Sequence, residues 1–366
     1  MPTRVGRGLR MPNRFRILIF GASYGSLFAT KCVAAGHVVD LVCLSAEAEA
    51  INHNGAVVRM PIKGGDRLVE LNSKALPGTL AAGTTEAFNP VEYDLVVLAM
   101  QEPQYCAPDV RKLLNVVARA RVPCLSIMNM PPLPCLYRIP TIGVAAARNC
   151  YTDASVWDGF DPSCVTLCSP DAQAVRPLGS PANVLQVGLA TNFKAARFES
   201  NAHTDVLWQL ERDIDAVRFE TVDGLIDLPV KLRVYDSPFV PLAKWSMLLA
   251  GNYRCVQADG FRSIRDAVHT DLDLSRSVYE WVAAVCLTLG ANERDMVPFA
   301  KYAKAALDLQ SPSSAARALG NGACHIERVD RLVQTIAHQL SMHSEVVADT
   351  VALVDHWLAR NRESSV

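Results

Sequence analysis

The stretch from Ile17 to Cys43 constrains the fold of this chain more than any other segment. Ile17 to Phe20 is a short apolar run that ends at Gly21, which is typical of a buried parallel strand. The residues that follow, GSLFATKCVAAGH, carry small and apolar side chains at helical spacing and stop near Gly36. VVDLVC then has the pattern of a second strand. The segment therefore predicts a strand–helix–strand unit of about the expected size.

The same alternation continues along the first two thirds of the chain. Strands are predicted at Tyr93 to Met100 and at Pro123 to Asn129, with the helix DVRKLLNVVARAR between them, and MPPLPCLYRIP is predicted as a loop. Residues 150–235 carry weaker patterns: NVLQVGLA and FKAARFE resemble strands, and HTDVLWQLERDIDAV resembles an amphipathic helix. Strands that alternate with helices predict an α/β fold with a Rossmann-like, doubly wound parallel sheet.

After Asp236 the strand patterns end and every strong pattern has a helical period. The chain has 366 residues, too many for one ordinary core, so two domains are expected. We predict a disordered leader over residues 1–14, a dinucleotide-binding domain over 15–234 and an all-α domain over 235–366.

Composition excludes several classes of protein. The formal net charge is −1 and no dense block of Lys and Arg is present, so nucleic acid is not an expected partner. No apolar run reaches the roughly 18 residues that would span a bilayer. Eleven cysteines without a regular framework, and no cleavable signal peptide, predict a reducing, cytoplasmic location. Cys164 and Cys168 have the spacing of half a metal site, but no second Cys/His pair supports it, so no metal is predicted.

The glycine turn after the first strand departs from the usual G-x-G-x-x-G pattern. Gly21, Ser23 and Ser26 occupy the three usual places, and Gly25 comes one residue early. We predict that Gly21 makes the turn, that Gly25 replaces the last glycine, and that Ser23, Tyr24 and Ser26 complete a pyrophosphate site at the helix N-terminus. The alternative is a turn that packs a helix against a strand and binds no nucleotide.

The end of the second strand usually distinguishes NAD from NADP, through an acid that binds the ribose or an Arg that binds the 2′-phosphate. Here the strand ends in Cys43, Leu44 and Ser45, which give neither signal. Glu47 is close enough to be considered for the ribose, although acids at a helix start are common for dipole reasons. The cofactor is therefore predicted as NADP or NAD.

Several segments of the chain resemble the ketopantoate reductase family, within the wider group that has a 6-phosphogluconate-dehydrogenase-like helical domain. The opening ILIFGASYGSLFATKCVAAGHVVDLVC is similar to that of the family apart from the shortened turn. SIMN places Asn129 where the family has an asparagine near substrate and nicotinamide. LAKWSMLLAGN resembles the segment that carries the catalytic lysine, and SPSSAARALGNGACHIERVD resembles the Ser-Ser stretch followed by a Glu.

The resemblance implies the reduction of a 2-oxo acid by a nicotinamide cofactor. Hydride delivery leaves negative charge on the carbonyl oxygen, and Lys244 would donate the neutralising proton. Asn252 lies eight residues later, on nearly the same helical face, and would hold the hydroxyl or the lysine. Ser313 or Ser314 would bind substrate oxygens, and Glu327 would bind the substrate hydroxyl or pair with Lys244.

Each of these residues also has an ordinary structural interpretation. Asn252 would simply end a helix beside Gly251, the serines would cap the helix SSAARAL, and Glu327 would be a surface acid of ERVDR. Lys244 would be a solvated lysine, although its segment is otherwise apolar. Arg254 would either clamp a substrate carboxylate or form a salt bridge.

Two departures from the family pattern bear on the substrate. The family's lysine after the fourth Rossmann strand is Gln101 here, which we keep among the cofactor contacts, and an asparagine one turn after the lysine is Leu248. These changes predict either a bulkier or less polar carbonyl substrate or lost activity. The alternatives are an opine- or imine-type dehydrogenase and an inactive nucleotide-binding sensor. Helical domains of this group often pair, so a homodimer is expected.

Overall fold

The computed structural model of the protein describes residues 14–62, 68–170, 173–221 and 224–364. The leader predicted over residues 1–14 lies outside the described residues except for Arg14, whose guanidinium donates to Thr79 Oγ1 at 3.4 Å.

Sixteen strands are formed by the described residues. They are β1 (Arg16–Phe20), β2 (Val38–Val42), β3 (Val57–Pro61), β4 (Leu68–Asn72), β5 (Thr79–Gly83), β6 (Leu95–Leu98), β7 (Cys124–Ile127), β8 (Val165–Ser169), β9 (Gln173–Val175), β10 (Val184–Leu189), β11 (Phe193–Ala196), β12 (Arg218–Thr221), β13 (Gly224–Asp227), β14 (Leu232–Tyr235), β15 (Val256–Gln257) and β16 (Gly260–Phe261).

The α-helices of the same residues alternate with these strands at first and then follow one another. They are α1 (Tyr24–Ala34), α2 (Ser45–Asn54), α3 (Pro108–Ala120), α4 (Leu133–Leu136), α5 (Val144–Ala147), α6 (Asn201–Ala216), α7 (Phe239–Leu242), α8 (Lys244–Met247), α9 (Ile264–His269), α10 (Leu272–Thr288), α11 (Phe299–Ala306), α12 (Ser314–Gly320), α13 (Val329–Gln339) and α14 (Glu345–Ser364).

The N-terminal part is built on an eight-stranded sheet with the order β14-β11-β8-β7-β6-β1-β2-β5. Strand β1 pairs in parallel with β2 and with β6, so the chain reverses direction across the sheet at β1. Alternate residues of β1 face two different cores, Leu18 and Phe20 one and Ile17 and Ile19 the other, because successive side chains of a strand point to opposite faces. The predicted Rossmann-like sheet is confirmed, with one difference: β11 runs antiparallel to β8, so the sheet is mixed.

A second sheet was not anticipated. Strand β10, which lies within the predicted strand NVLQVGLA, pairs in parallel with β3 rather than joining the large sheet. The order of this four-stranded sheet is β4-β3-β10-β9. A strand pattern identifies a strand but not its partner, and this pairing joins residues more than a hundred positions apart. The loop predicted from MPPLPCLYRIP also contains one short helix, α4.

The C-terminal part is helical, as predicted, apart from the two-residue strands β15 and β16, which form a small hairpin. One core runs continuously from a face of the large sheet, at Phe20 and Leu98, to Trp245 and Leu248 of the helical part. Within the described ranges, no helix is both long enough and apolar enough to cross a membrane.

Candidate active site

The glycine turn lies at the carboxyl end of β1. Gly21 has φ +95°, and its N–H donates to the carbonyl of Val42 at 2.8 Å, which joins the turn to the end of β2. A Cβ at this position would lie 2.7 Å from Met100 Cγ and 2.9 Å from the carbonyl oxygen of Ala99. Gly21 is therefore required both by its backbone conformation and by the close approach of the neighbouring strand end.

Gly25 lies in the first turn of α1 and against β1. A Cβ there would lie 2.9 Å from Ile19 Cγ2, and Leu41 Cδ2 is 3.5 Å away. The missing side chain lets the helix pack closely on the strand, which is the packing task of the last glycine in the usual pattern. The shortened turn is therefore compact rather than disrupted.

The three remaining residues of the turn differ in what they present. Ser23 is the exposed N-cap of α1, and its side chain makes no capping hydrogen bond, while half-buried Tyr24 begins the helix. Ser26 is buried, and its hydroxyl donates to the carbonyl of Ala22 at 2.6 Å. The helix N-terminus thus has no side-chain cap, and Ser26 Oγ is engaged inside the helix.

A small cavity lies beyond the turn, between the edge of the large sheet and the helical part. Its lining residues are Gln101, Asn129, Leu248, Asn252, Tyr253, Ser314, Ala315, Ile326 and Glu327. Five sequence-predicted site residues, which come from five separate segments of the chain, therefore meet in one place together with Leu248. The cavity volume is about 20 Å³, which is enough for little more than one water molecule.

Glu327 connects the two parts of the molecule at this cavity. Its buried carboxylate accepts a hydrogen bond from Asn129 Nδ2 at 3.0 Å and is approached by the backbone N–H groups of Glu102 at 3.4 Å and Met130 at 3.5 Å. Burial raises the pKa of Glu327, while these donors and the charge of Lys244 act in the opposite direction. Asn129 Oδ1 is buried without a hydrogen-bond partner among the described residues, so one acceptor at the cavity is unsatisfied.

Lys244 begins α8 and lies near the same edge of the sheet. Its ammonium donates to the carbonyl of Pro170, the residue after β8, and so bridges the helical part and the sheet. Lys244 is not among the residues that line the cavity, but its charge lowers the pKa of Glu327. The ammonium is therefore within electrostatic range of the buried carboxylate while bonded to a backbone carbonyl.

A π-helical segment, Leu248–Asn252, follows α8 and decides which way Asn252 faces. In a regular α-helix the eighth residue after Lys244 would lie about 80° away around the axis. The extra residue of a π-turn reduces that difference to about 20°. Gly251 is required inside this segment, because a Cβ there would lie 2.0 Å from Tyr302 Oη. The π-turn therefore brings Asn252 onto the face of Lys244.

The two serines have different environments. Ser313 is the N-cap of α12: its Oγ accepts from the N–H of Ala316 at 3.2 Å, and its hydroxyl donates to the carbonyl of Asn252 at 2.7 Å. Ser314, one residue later, lines the cavity. The capping interpretation thus describes Ser313, and of the two serines Ser314 is the one placed to contact a ligand.

Arg254 is not directed at the cavity. Its buried guanidinium donates to Ser275 Oγ at 2.6 Å and to the carbonyl of Ala250 at 3.3 Å, and burial lowers its pKa. Among the described residues no cluster of metal-ligating side chains is formed, and Cys164 and Cys168 are buried and form no disulfide there.

Two residues of the site were missed by the sequence reasoning. Glu102 follows Gln101, is 2 % exposed, and accepts hydrogen bonds from the N–H and the hydroxyl of Thr152 at 3.0 and 2.8 Å. Burial raises the pKa of Glu102 to about 7, and the charge of Glu327 adds to the rise. Tyr253 lines the cavity, donates to the backbone carbonyl of Glu327, and accepts from the N–H of Val329 at 3.0 Å. No local pattern distinguishes either residue from a surface acid or a core tyrosine.

Comparison with solved structures finds the same two-part fold in oxidoreductases. A putative ketopantoate reductase from Ralstonia solanacearum MolK2 is 14% identical, with a TM-score of 0.64 over 96% of this chain and 99% of that one. D-mandelate dehydrogenase, in a ternary structure with NADH and anilino(oxo)acetate, is 13% identical, with a TM-score of 0.58 over 95% and 99%. A dimeric ketopantoate reductase from Staphylococcus aureus is 9% identical, with a TM-score of 0.58 over 94% and 99%.

Sequence comparison alone identifies no relative: no family model matches the chain, and no curated protein does. The chain therefore has the fold of ketopantoate reductases and D-mandelate dehydrogenase, a Rossmann-like sheet followed by a helical region, at very low sequence identity. At that distance the likeness establishes the architecture alone.

Proposed function

We propose that the protein is a nicotinamide-dependent reductase that converts a 2-oxo acid into the 2-hydroxy acid, with Lys244 as the general acid. The observation that carries the proposal is the cavity at which Asn129 and Glu327 meet across the two parts of the molecule. The compact glycine turn and Lys244 lie along the same edge of the sheet. A two-part fold shared with oxidoreductases adds support.

The residues present fit a dinucleotide. Side chains at Gly21 and Gly25 would occupy the space that lets the chain turn and α1 approach the sheet, and the N-terminus of α1 has no side-chain cap. Backbone N–H groups of the turn, with Ser23 and Tyr24, would hold the pyrophosphate. Gln101 and Asn129 would face the nicotinamide end, where Asn129 Oδ1 lacks a partner.

When bound, the reduced nicotinamide supplies a hydride to the carbonyl carbon. Lys244 supplies the proton that neutralises the carbonyl oxygen, after its ammonium leaves the carbonyl of Pro170. Glu327, which lies within electrostatic range of Lys244, orients the oxygens of the substrate together with Asn252 and Ser314. A cavity of about 20 Å³ is too small for a 2-oxo acid, so the residues that line it would have to move apart for the substrate to enter.

Leu248 and Gln101 guide the choice of substrate within this class. The wall that Leu248 contributes to the cavity is apolar, and Gln101 forms hydrogen bonds without a charge. These properties favour a 2-oxo acid with a bulky or apolar side chain over ketopantoate. The solved D-mandelate dehydrogenase complex contains anilino(oxo)acetate, a 2-oxo acid derivative of that kind.

The test is oxidation of NADH and of NADPH in the presence of a panel of aliphatic and aromatic 2-oxo acids. We expect turnover with at least one of them, and loss of about 100-fold or more in kcat in Lys244→Ala with cofactor binding unchanged. Lys301→Ala, which removes an exposed lysine of α11, is the matched control and should turn over normally. Equal activity of the Lys244 and Lys301 variants would contradict the assignment of the general acid.

One observation favours an inactive nucleotide-binding protein as the second candidate. The ammonium of Lys244 donates to the carbonyl of Pro170, and Lys244 is not among the residues that line the cavity. Cofactor binding without turnover on the whole panel, including reactions supplied with an amine donor to test imine reduction, would support this candidate instead.

We also propose that the protein is a cytoplasmic homodimer. The solved reductase from Staphylococcus aureus is described as dimeric, and none of the eleven cysteines forms a disulfide in the described part of this chain, as in a reducing compartment. Sedimentation equilibrium giving a monomer at micromolar concentration would contradict the dimer.

A further inference from the structure

The carboxyl end of β2 carries a charge pair that the local sequence does not reveal. Glu47 is the third residue of α2, its carboxylate accepts from the N–H of Leu44 at 3.2 Å, and its side chain is 15 % exposed. Arg176, which follows β9 of the second sheet, reaches across and donates from its guanidinium to the same carboxylate. An arginine 129 residues away in sequence therefore supplies the positive charge that the strand end itself lacks.

Both charges act on Cys43, the residue that follows β2. Burial raises the pKa of the Cys43 thiol to about 12; the charge of Glu47 adds to the rise and that of Arg176 opposes it. Cys43 is also tied to the end of β5, since its N–H donates to the carbonyl of Gly83 at 2.9 Å. The pair thus lies at the edge of the sheet where a dinucleotide bound at the glycine turn would place its adenosine ribose.

The surface beside the pair is open. Leu44, the first residue after Cys43, is 75 % exposed, and Arg176 is 38 % exposed. Arg176 is the more exposed partner of the ion pair, so its guanidinium can also contact an anion bound from solution beside Glu47. A phosphate group carries more charge than a carboxylate and forms forked, charge-assisted hydrogen bonds with a guanidinium.

We propose that Arg176 and Glu47 together set the choice between NADPH and NADH, with Arg176 binding the 2′-phosphate and Glu47 opposing it while favouring the free ribose hydroxyls. This inference rests on the proposed function, because it requires a nicotinamide dinucleotide at the glycine turn. Since the two side chains neutralise each other, the unmodified protein should bind NADPH and NADH with affinities within about tenfold of each other. Removing either charge should then shift the preference in a known direction.

The experiment measures equilibrium binding rather than activity. NADPH and NADH are titrated by fluorescence, and adenosine 2′,5′-bisphosphate and AMP, which lack the nicotinamide, are titrated by calorimetry. In Arg176→Ala the affinity for NADPH and for the bisphosphate should fall about tenfold or more, while NADH and AMP should change less than about threefold. In Glu47→Gln the affinity for NADPH should rise several-fold and that for NADH should fall.

Arg59→Ala is the matched control, because Arg59 belongs to the same second sheet and forms a comparable exposed pair with Glu70 at 2.8 Å. It should leave all four affinities unchanged. If the protein binds both cofactors but the Arg176 and Glu47 variants leave the NADPH-to-NADH ratio unchanged, this inference is wrong and the proposed function stands. If the protein binds neither cofactor nor either adenosine nucleotide, the proposed function fails and this assignment fails with it.

Discussion

Glu102→Gln should change how the stability of the protein depends on pH. Glu102 is buried at the junction between the sheet and the helical part, where its carboxyl accepts two hydrogen bonds from Thr152. The acids that face it are Glu327 from the helical part and Asp153 beside Thr152. A glutamine keeps the shape and can keep both bonds with Thr152, so the substitution removes mainly the ionisable proton.

The direction of this pH dependence follows from the raised pKa of Glu102. In the folded protein Glu102 stays protonated up to about pH 7, whereas in the unfolded chain it ionises near its ordinary pKa of 4.5. The free energy of unfolding should therefore fall as the pH rises from 4.5 through 7 and level off above that. At about 1.4 kcal/mol per pH unit, the loss between about pH 5 and about pH 8 is about 2.5 kcal/mol. Glu102→Gln lacks this loss. The free energy of unfolding of the variant, relative to that of the unmodified protein, should therefore rise by about 2.5 kcal/mol between about pH 5 and about pH 8.

Urea denaturation followed by circular dichroism, at about pH 5 and about pH 8, measures the difference in free energy of unfolding between the variant and the unmodified protein. Glu86→Gln removes an exposed acid from the same part of the chain and should give the same difference from the unmodified protein at both pH values. If the difference between Glu102→Gln and the unmodified protein is also the same at both pH values, Glu102 is ionised in the folded state. Glu102 would then not be a buried, protonated acid beside Glu327.

Two further substitutions test the turn and the cavity. Gly25→Ala should lower the free energy of unfolding in urea by about 1–3 kcal/mol and weaken cofactor binding, because its Cβ would lie 2.9 Å from Ile19 Cγ2. Gly260→Ala is the control and should lower that free energy much less, because the added atom meets open space. Equal losses of stability in the two variants would contradict the packing role of Gly25. Glu327→Gln can keep the hydrogen bond with Asn129 but loses the charge, so kcat should fall about 100-fold or more with cofactor affinity unchanged. A normal kcat in this variant would show that Glu327 has no role in the reaction.

The features that the sequence predicts well are those that depend on neighbouring residues. The strand–helix–strand unit follows from local periodicity, and the exclusion of a side chain at Gly25 follows from where a helix must pack on a strand. The convergence of Asn129, Asn252 and Glu327 came instead from a family resemblance, because periodicity cannot bring together residues from separate elements.

What the sequence does not predict depends on distant pairing or on burial. Strand β10 joins β3 in a second sheet, and Arg176 reaches Glu47 only because that sheet forms. Glu102 is an acid in a turn whose burial depends on the helical part lying over it. Ser313 and Ser314 differ by one residue, and only the start of α12 decides which of them caps the helix.

In the proposed reaction, a nicotinamide bound at the glycine turn delivers a hydride to a carbonyl held beside Asn129 and Glu327. The most direct test uses reduced cofactor carrying deuterium at the transferable position of the nicotinamide, with product analysis by mass spectrometry across the 2-oxo acid panel. We expect a 2-hydroxy acid with one deuterium on the carbon that bore the carbonyl, formed about 100-fold or more slowly by Lys244→Ala. A protein that binds neither cofactor, or that forms a hydroxy acid without the label, would contradict it.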